Sequence, residues 1–470
     1  MTSEEFRRHG HGLIDWIADY LDHSDRYPVL PRMKPGDLVD ALPARGPEQG
    51  EPMEAILADF ERLIVPATTH WNHPGFMAYF GISASAPGVL GELLTAALNG
   101  NGMLWKSGPA VTELEEVTLR WLRAWSGLPD DWFGITFDTA STSSLHAIAA
   151  ARELADPEAR TRGASPGLIV YTSEQSHSSI EKGAISLGMG QQNVRRVPTD
   201  AEFRMRPDVL AGLIEADLAA GLKPCCVTAT VGTTSTTSVD PVPAIAELCR
   251  EHKLWLHVDA AYAGSAAILP EFRWAFAGCE HADSLVTNPH KWLLTPVDCS
   301  VFYTRHPEVL RRAVSLIPEY LRTAEDPRAV NLMDYGVPLG HRFRALKLWF
   351  VMRSFGREGL ADVLREHIRL AQELAKEVDA DPLFERTAPS PFSVVCFRYL
   401  GTDEENRRIQ EKVNATGEVF ISGTVLNGRF SLRVAIGNQA TTGKHVQRVW
   451  ELIRSAVSQD VSLGNHAGKG

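Results

Sequence analysis

The chain has 470 residues, of which 44% are hydrophobic and 22% charged, with a formal net charge of −11. That length suits two or three domains, or one large α/β body with appendages, in a globular protein of ordinary composition. No dense basic stripe offers a footprint for nucleic acid, and apolar stretches such as Gly88 to Leu98, broken by Glu92, are too short to cross a bilayer.

Met1-Thr2-Ser3-Glu4-Glu5 is acidic where a signal peptide would be basic and then apolar, so a cytoplasmic protein is expected. Phe6, Leu13, Ile14, Ile17, Tyr20 and Leu21 recur at helical spacing and predict an amphipathic helix from Ser3 to about His23. Pro28, Pro31, Pro35, Pro43, Pro47 and Pro52 then exclude helix or sheet interior. A second amphipathic helix follows, with Ile56, Leu57, Phe60, Leu63 and Ile64 on one face. Residues 1–85 therefore read as a helical arm with apolar faces and no core of its own. Burial of those faces on a second copy predicts a homodimer, the alternative being that the arm folds back on its own chain.

From 86 to about 348 the pattern alternates. Apolar strands are expected at 135–137, 168–171, 194–197, 226–230, 254–258, 284–287 and 300–303, with helices at 142–154, 178–187, 208–220 and 242–252 between most of them. Such alternation predicts an α/β domain around a largely parallel sheet. Mixed helices and short strands (394–397, 430–435) make 349–470 a smaller α+β domain. The six cysteines show neither CxxC pairing nor zinc-like spacing, which suits free thiols in a reducing cytoplasm. His70 and His73 lack clustered partners, so no metal is expected.

Chemistry concentrates at two strand ends. Leu256-His257-Val258-Asp259 runs an apolar strand into a carboxylate, and Asn288-Pro289-His290-Lys291-Trp292 places a lysine just after the next strand. In an open parallel sheet both ends face the ligand crevice. An acid and a lysine there suit pyridoxal phosphate (PLP): the lysine forms a Schiff base with the cofactor aldehyde, and the acid holds the pyridine nitrogen protonated. The plain alternatives are a helix cap for Asp259 and an exposed charge for Lys291.

These segments resemble the aromatic L-amino-acid decarboxylases, a family of PLP enzymes, along with Thr69-His70-Trp71, Gln175-Ser176-His177-Ser178-Ser179, Gly232-Thr233-Thr234-Ser235, Val258-Asp259-Ala260-Ala261-Tyr262 and Arg342-Phe343-Arg344-Ala345-Leu346-Lys347. The resemblance implies a fold-type-I PLP enzyme, an α/β body with an N-terminal helical arm and a small C-terminal domain. It assigns Lys291 to the Schiff base, Asp259 to the pyridinium and His177 to the ring face. Thr139, Ala140 and Ser141, with Asn288, fall at the phosphate cup, and Thr234, Ala261 and His290 line the cofactor. Asp138 departs from the family here, standing where animal members have glycine. Tyr320 matches a tyrosine on a mobile loop that protonates the substrate carbon. Trp71, Tyr79, Phe80, Ile82, Met103, His290 and Gly340 match the substrate side, Met103 as a residue offered by the partner subunit; the aromatic residues would otherwise be core. Ile82 and Asn101 depart from the dopa-handling pattern.

The implied activity is decarboxylation of an aromatic L-amino acid (tryptophan, tyrosine, phenylalanine or dopa) to its arylalkylamine. The rivals are an aldehyde synthase of the same family, a PLP aminotransferase and a non-catalytic PLP-holding protein.

Overall fold

The computed structural model of the chain describes residues 1–316 and 329–467. They form two compact units, one of Ile82–Ala375 and Arg386–Cys396, the other of Met1–Gly81, Lys376–Glu385 and Phe397–Gly470. The strands in chain order are β1 (Phe76–Met77), β2 (Phe133–Phe137), β3 (Leu168–Ser173), β4 (Val194–Val197), β5 (Lys223–Thr230), β6 (Trp255–Asp259), β7 (Ser284–Thr287), β8 (Ser300–Thr304), β9 (Phe384–Arg386), β10 (Val394–Tyr399), β11 (Phe420–Leu426) and β12 (Arg429–Ala435).

The first unit is built on a seven-stranded sheet in the order β2-β8-β7-β6-β5-β3-β4. Neighbours run parallel except at β8, which is antiparallel to both β2 and β7. All residues of β3, β6, β7 and β8 are buried, as expected for a sheet covered on both faces. The helices Ala140–Ala155, Ser179–Ser186, Pro207–Ala219 and Val242–His252 lie in the connections. The last two carry a proline in the first turn, where its missing N–H leaves no helical bond unmade. Ile135, Phe137, Ile148, Val170, Trp255 and Phe302 belong to one core cluster between sheet and helices.

Two boundaries differ from the sequence expectation in ways that matter for the site. β6 ends on Asp259 itself rather than before it, because Asp259 still pairs in register with Thr230 and Val286. The helix expected from Thr142 starts at Ala140, which makes Thr139 its N-cap, with extended φ and ψ of −136° and 161°.

The other sheet has the order β1-β11-β12-β10-β9. β11 and β12 form a hairpin across Asn427-Gly428, whose φ values of 49° and 76° are those of a two-residue turn matched to strand twist. In the second unit Val29, Phe76 and Ala78 make a small core with Trp71 and Phe420. The helix Ser3–Asp22 is closed by a capping box between Thr2 and Glu5 and has no buried residue. Tyr20 at its end bonds His70 Nδ1 through its hydroxyl (3.0 Å). The amino-terminal 81 residues thus cluster with the carboxy-terminal segment of their own chain.

Candidate active site

Parallel strands expose their C-terminal ends along one edge of a sheet. Here β2, β3, β5, β6 and β7 share one direction, so the segments that follow them emerge on the same side. β2 leads to Thr139, Ala140 and Ser141, β3 to His177, and β5 to Thr234. β6 leads to Asp259 and Ala261, and β7 to Asn288, His290 and Lys291. Ligands of open α/β sheets bind at such an edge.

Asp259, Ala261, Asn288 and His290 are buried, whereas Thr139, Ser141, His177 and Thr234 are exposed, a floor and an open rim. Asp259 Oδ1 accepts the N–H of Ala261 (3.0 Å), which fixes the carboxylate at the strand end. Ala261 O in turn accepts the N–H of Asn288 (3.0 Å), and Asn288 O that of Lys291 (2.9 Å). A chain of backbone bonds therefore links the acid to the lysine. Lys291 sits in a single helical turn, Pro289–Trp292, half-buried, with Trp292 stacked on Tyr262 at 4.6 Å as its support.

The charges of this floor act on the rim. His177 Nδ1 accepts the N–H of Ser179 (3.2 Å) and lies 2.9 Å from its hydroxyl, so the neutral ring carries its proton on Nε2. Desolvation of the covered part of the ring lowers the His177 pKa; Asp259 opposes that shift, and Lys291 and Lys182 add to it. His290 accepts the N–H of Cys299 on Nδ1 (2.9 Å), and burial, reinforced by Lys291, lowers its pKa to about 4. The neutral ring, favoured by that shift, carries its proton on Nε2 and can donate from there.

The sixteen-residue helix Ala140–Ala155 begins with no side-chain cap bond, so its first N–H groups and the helix dipole stay open to an anion. Asp138 lies against the start of this helix. Its carboxylate accepts the N–H of Thr139 (2.8 Å) and so occupies the donor just before the helix, leaving those of the first turn. Among the described residues Asn288 Oδ1 is buried without a hydrogen-bond partner, an amide whose orientation a ligand can settle. The open helix end, the buried acid and the lysine one strand away fit the anionic, pyridine and aldehyde ends of PLP.

Of the residues expected on the substrate side, Met103 and Gly340 are brought together by Asn101, whose Oδ1 accepts the N–H groups of Met103 (3.1 Å) and of His341 (3.0 Å), next to Gly340. Ile82 belongs to the same unit, whereas Trp71, Tyr79 and Phe80 belong to the other. Trp71 stacks on Phe76 (4.2 Å), and Phe80 lies under the Arg433 guanidinium (4.8 Å). Tyr320 lies outside the described residues.

Sequence reasoning passed over two buried polar residues around these elements. Asp240 accepts the N–H groups of Met205 (2.7 Å) and Thr230 (2.8 Å), bracing the loop that carries Thr234; burial pushes its pKa up to about 7 against those bonds. His257 lies on the same strand face as Asp259, two residues earlier, a spacing that could have marked it.

The family model described as "Pyridoxal-dependent decarboxylase conserved domain" matches residues 35–400. The tryptophan decarboxylase TDC2 of Camptotheca acuminata is 41% identical, over 97% of this chain and 95% of its own. A phenylacetaldehyde synthase of Arabidopsis thaliana is 39% identical, over 97% of each. The crystal structure of Oryza sativa TDC with PLP and tryptamine superposes with a TM-score of 0.95 at 36% identity, covering 98% of this chain and 99% of that one.

Proposed function

The chain belongs to the pyridoxal-dependent decarboxylase family, and on that premise we propose that it removes the α-carboxylate of an aromatic L-amino acid, releasing the arylalkylamine and carbon dioxide. The observation that carries the reading is the placement of buried Asp259 and of Lys291 at the ends of the adjacent parallel strands β6 and β7, joined by backbone bonds. PLP, when bound, supplies an acceptor for the electron pair left as a bond to the substrate Cα breaks.

The chain's own residues set the rest. Lys291 holds the cofactor aldehyde through its amine, and Asp259 keeps a proton on the ring nitrogen. The open helix end at Thr139, Ala140 and Ser141, with Asn288, takes the phosphate. His177 covers one ring face, and Thr234, Ala261 and His290 complete the cofactor's surroundings. Orientation selects the bond that breaks: the carboxylate must stand perpendicular to the ring, a task for the substrate-side residues Trp71, Tyr79, Phe80, Ile82, Met103, His290 and Gly340. Tyr320 is the proton donor to Cα after carbon dioxide leaves.

Borohydride reduction of the purified yellow protein is expected to fix the cofactor to a peptide containing Lys291; an adduct on another lysine removes that assignment. Incubation with tryptophan, tyrosine, phenylalanine and dopa, following carbon dioxide, amine and aldehyde together, tests the reaction itself. Amine with stoichiometric carbon dioxide is expected. A keto acid without carbon dioxide points to transamination, and aldehyde with oxygen uptake to an aldehyde-synthase reaction.

The protein is further proposed to work as a cytoplasmic homodimer. Leu90, Leu93, Leu94 and Leu98 on helix Ala86–Leu98 are 47, 51, 45 and 65% exposed, and Phe6 on the first helix 68%. Apolar patches of this kind are covered by a partner surface. All six cysteines are buried thiols, which suits a reducing compartment. Deleting residues 1–84 is expected to give aggregates or inactive monomers in size-exclusion chromatography; a soluble, monomeric and fully active truncation overturns the dimer.

A further inference from the structure

A polar bridge joins β6 to helix Ala140–Ala155 beside a second buried contact, Ser143 Oγ to Ser300 Oγ (2.9 Å), that ties the same helix to β8. His257 on β6 has no exposed surface; its Nε2 lies 3.2 Å from Ser144 Oγ on the helix and its Nδ1 2.9 Å from Ser284 Oγ on β7. Ser284 is the register partner of His257 and also accepts the indole N–H of Trp255 (2.9 Å). All four side chains are buried, at 1% exposure or less. Around them the core is Ile148, Ala147, Val170 and Phe302, so aliphatic residues would fill the same space. Replacing a fully bonded buried polar set by apolar groups of like shape is often neutral or stabilising, so stability alone gives little reason for the bridge.

Its position does. Two residues beyond His257, on the same strand face, stands Asp259, which holds the pyridine nitrogen. Five residues before Ser144 stands Thr139, the N-cap of the helix whose open end takes the phosphate. The nitrogen and the phosphate are opposite ends of one rigid cofactor. The acid and the helix end must therefore keep a fixed separation, and no backbone bond between β6 and the helix enforces it. We propose that His257 is a positioning residue which, through Ser144, sets the distance between Asp259 and the phosphate-binding helix end, and so the affinity for PLP. The Ser284 arm orients the imidazole on its own sheet. The Ser144 arm spans the two elements. Burial keeps His257 neutral, lowering its pKa to about 4, so the bridge holds one donor–acceptor polarity across the working pH range.

Two hydroxyl deletions separate positioning from packing. Ser284→Ala removes the bond to His257 and also the acceptor of Trp255, whereas Ser144→Ala removes only the bond from the helix to His257 and leaves the Ser143–Ser300 contact in place. Packing alone therefore ranks Ser284→Ala as the more damaging variant in every measurement. The proposal predicts an inversion. In titrations of the apoprotein with PLP, followed by cofactor absorbance, Ser144→Ala binds at least tenfold more weakly than wild type, and Ser284→Ala within threefold of it. In thermal melts of the same apoproteins Ser284→Ala shows the larger drop in Tm. His257→Gln, whose amide falls where Nε2 lies and so keeps the span to Ser144, should bind PLP more tightly than His257→Asn, whose amide falls where Nδ1 lies. PLP affinities that follow the Tm order, or equal affinities for the Gln and Asn variants, overturn the positioning role. A wild-type apoprotein that binds no PLP would instead remove the cofactor assignment on which the proposal stands.

Discussion

Replacing Asp259 by alanine is expected to lower kcat/KM by roughly a hundred- to a thousandfold, about 3 to 4 kcal/mol of transition-state stabilisation, as for other preorganised charge partners. The carboxylate is 5% exposed, and Ala261 N–H fixes it at the end of β6, so it needs no reorganisation when the ring nitrogen must stay protonated. Water cannot substitute for it at full strength, because the desolvated site magnifies the interaction. Alanine also leaves a buried cationic nitrogen without a counter-charge, so cofactor retention through gel filtration should fall. Asp259→Asn separates charge from shape: it keeps an oxygen for the Ala261 N–H and loses the negative charge. Its kcat/KM should lie close to that of alanine. An asparagine variant with near wild-type turnover and retained PLP would mean that the carboxylate serves the strand end alone.

Tyr320→Phe is expected to change the product rather than abolish turnover. Once carbon dioxide has left, the substrate Cα carries an electron pair with two fates. A proton from a phenol gives the amine. Dissolved oxygen, accepting two electrons, becomes peroxide and leaves an imine, which water hydrolyses to the aldehyde and ammonia. Phenylalanine keeps an aromatic ring and removes the transferable proton, so the electron pair persists long enough to meet oxygen. Carbon dioxide release should persist while aldehyde replaces amine and an oxygen electrode records uptake. A role in packing alone predicts little change for phenylalanine and a large loss for alanine. Amine formation by Tyr320→Phe at the wild-type rate, without oxygen uptake, transfers the proton-donor role elsewhere, with His177 next in line. The same measurement distinguishes the decarboxylase reading from that of the synthase relatives, since a synthase makes aldehyde before any substitution.

Much of this molecule is written locally. The strands at 194–197 and 284–287 and the helix at 242–252 have the boundaries that their apolar spacing predicts, because burial of one face is decided by side chains within a few residues of each other. The acid at the end of β6 and the lysine shortly after β7 were legible for the same reason: each is a charged residue placed where an apolar run stops. Asn427 and Gly428 form their hairpin by an equally local rule, tolerance of positive φ, although no strand was expected at 420–426.

Other features have no local signature. The order β2-β8-β7-β6-β5-β3-β4, with β8 reversed, is a property of which distant strands pair, and β8 itself is as apolar as its parallel neighbours. That Asp138 spends its carboxylate on Thr139, and that Asn101 ties Met103 to His341, depends on backbone N–H groups that only the fold orients. The His257 bridge joins residues 113 and 27 positions apart in the chain. The sequence by itself determined which groups could do the chemistry, since functional groups and periodicity are carried residue by residue. Only the tertiary structure decided how far apart those groups stand and what holds them there, because separation across a sheet and a helix is set by long-range packing that no short stretch of chain encodes.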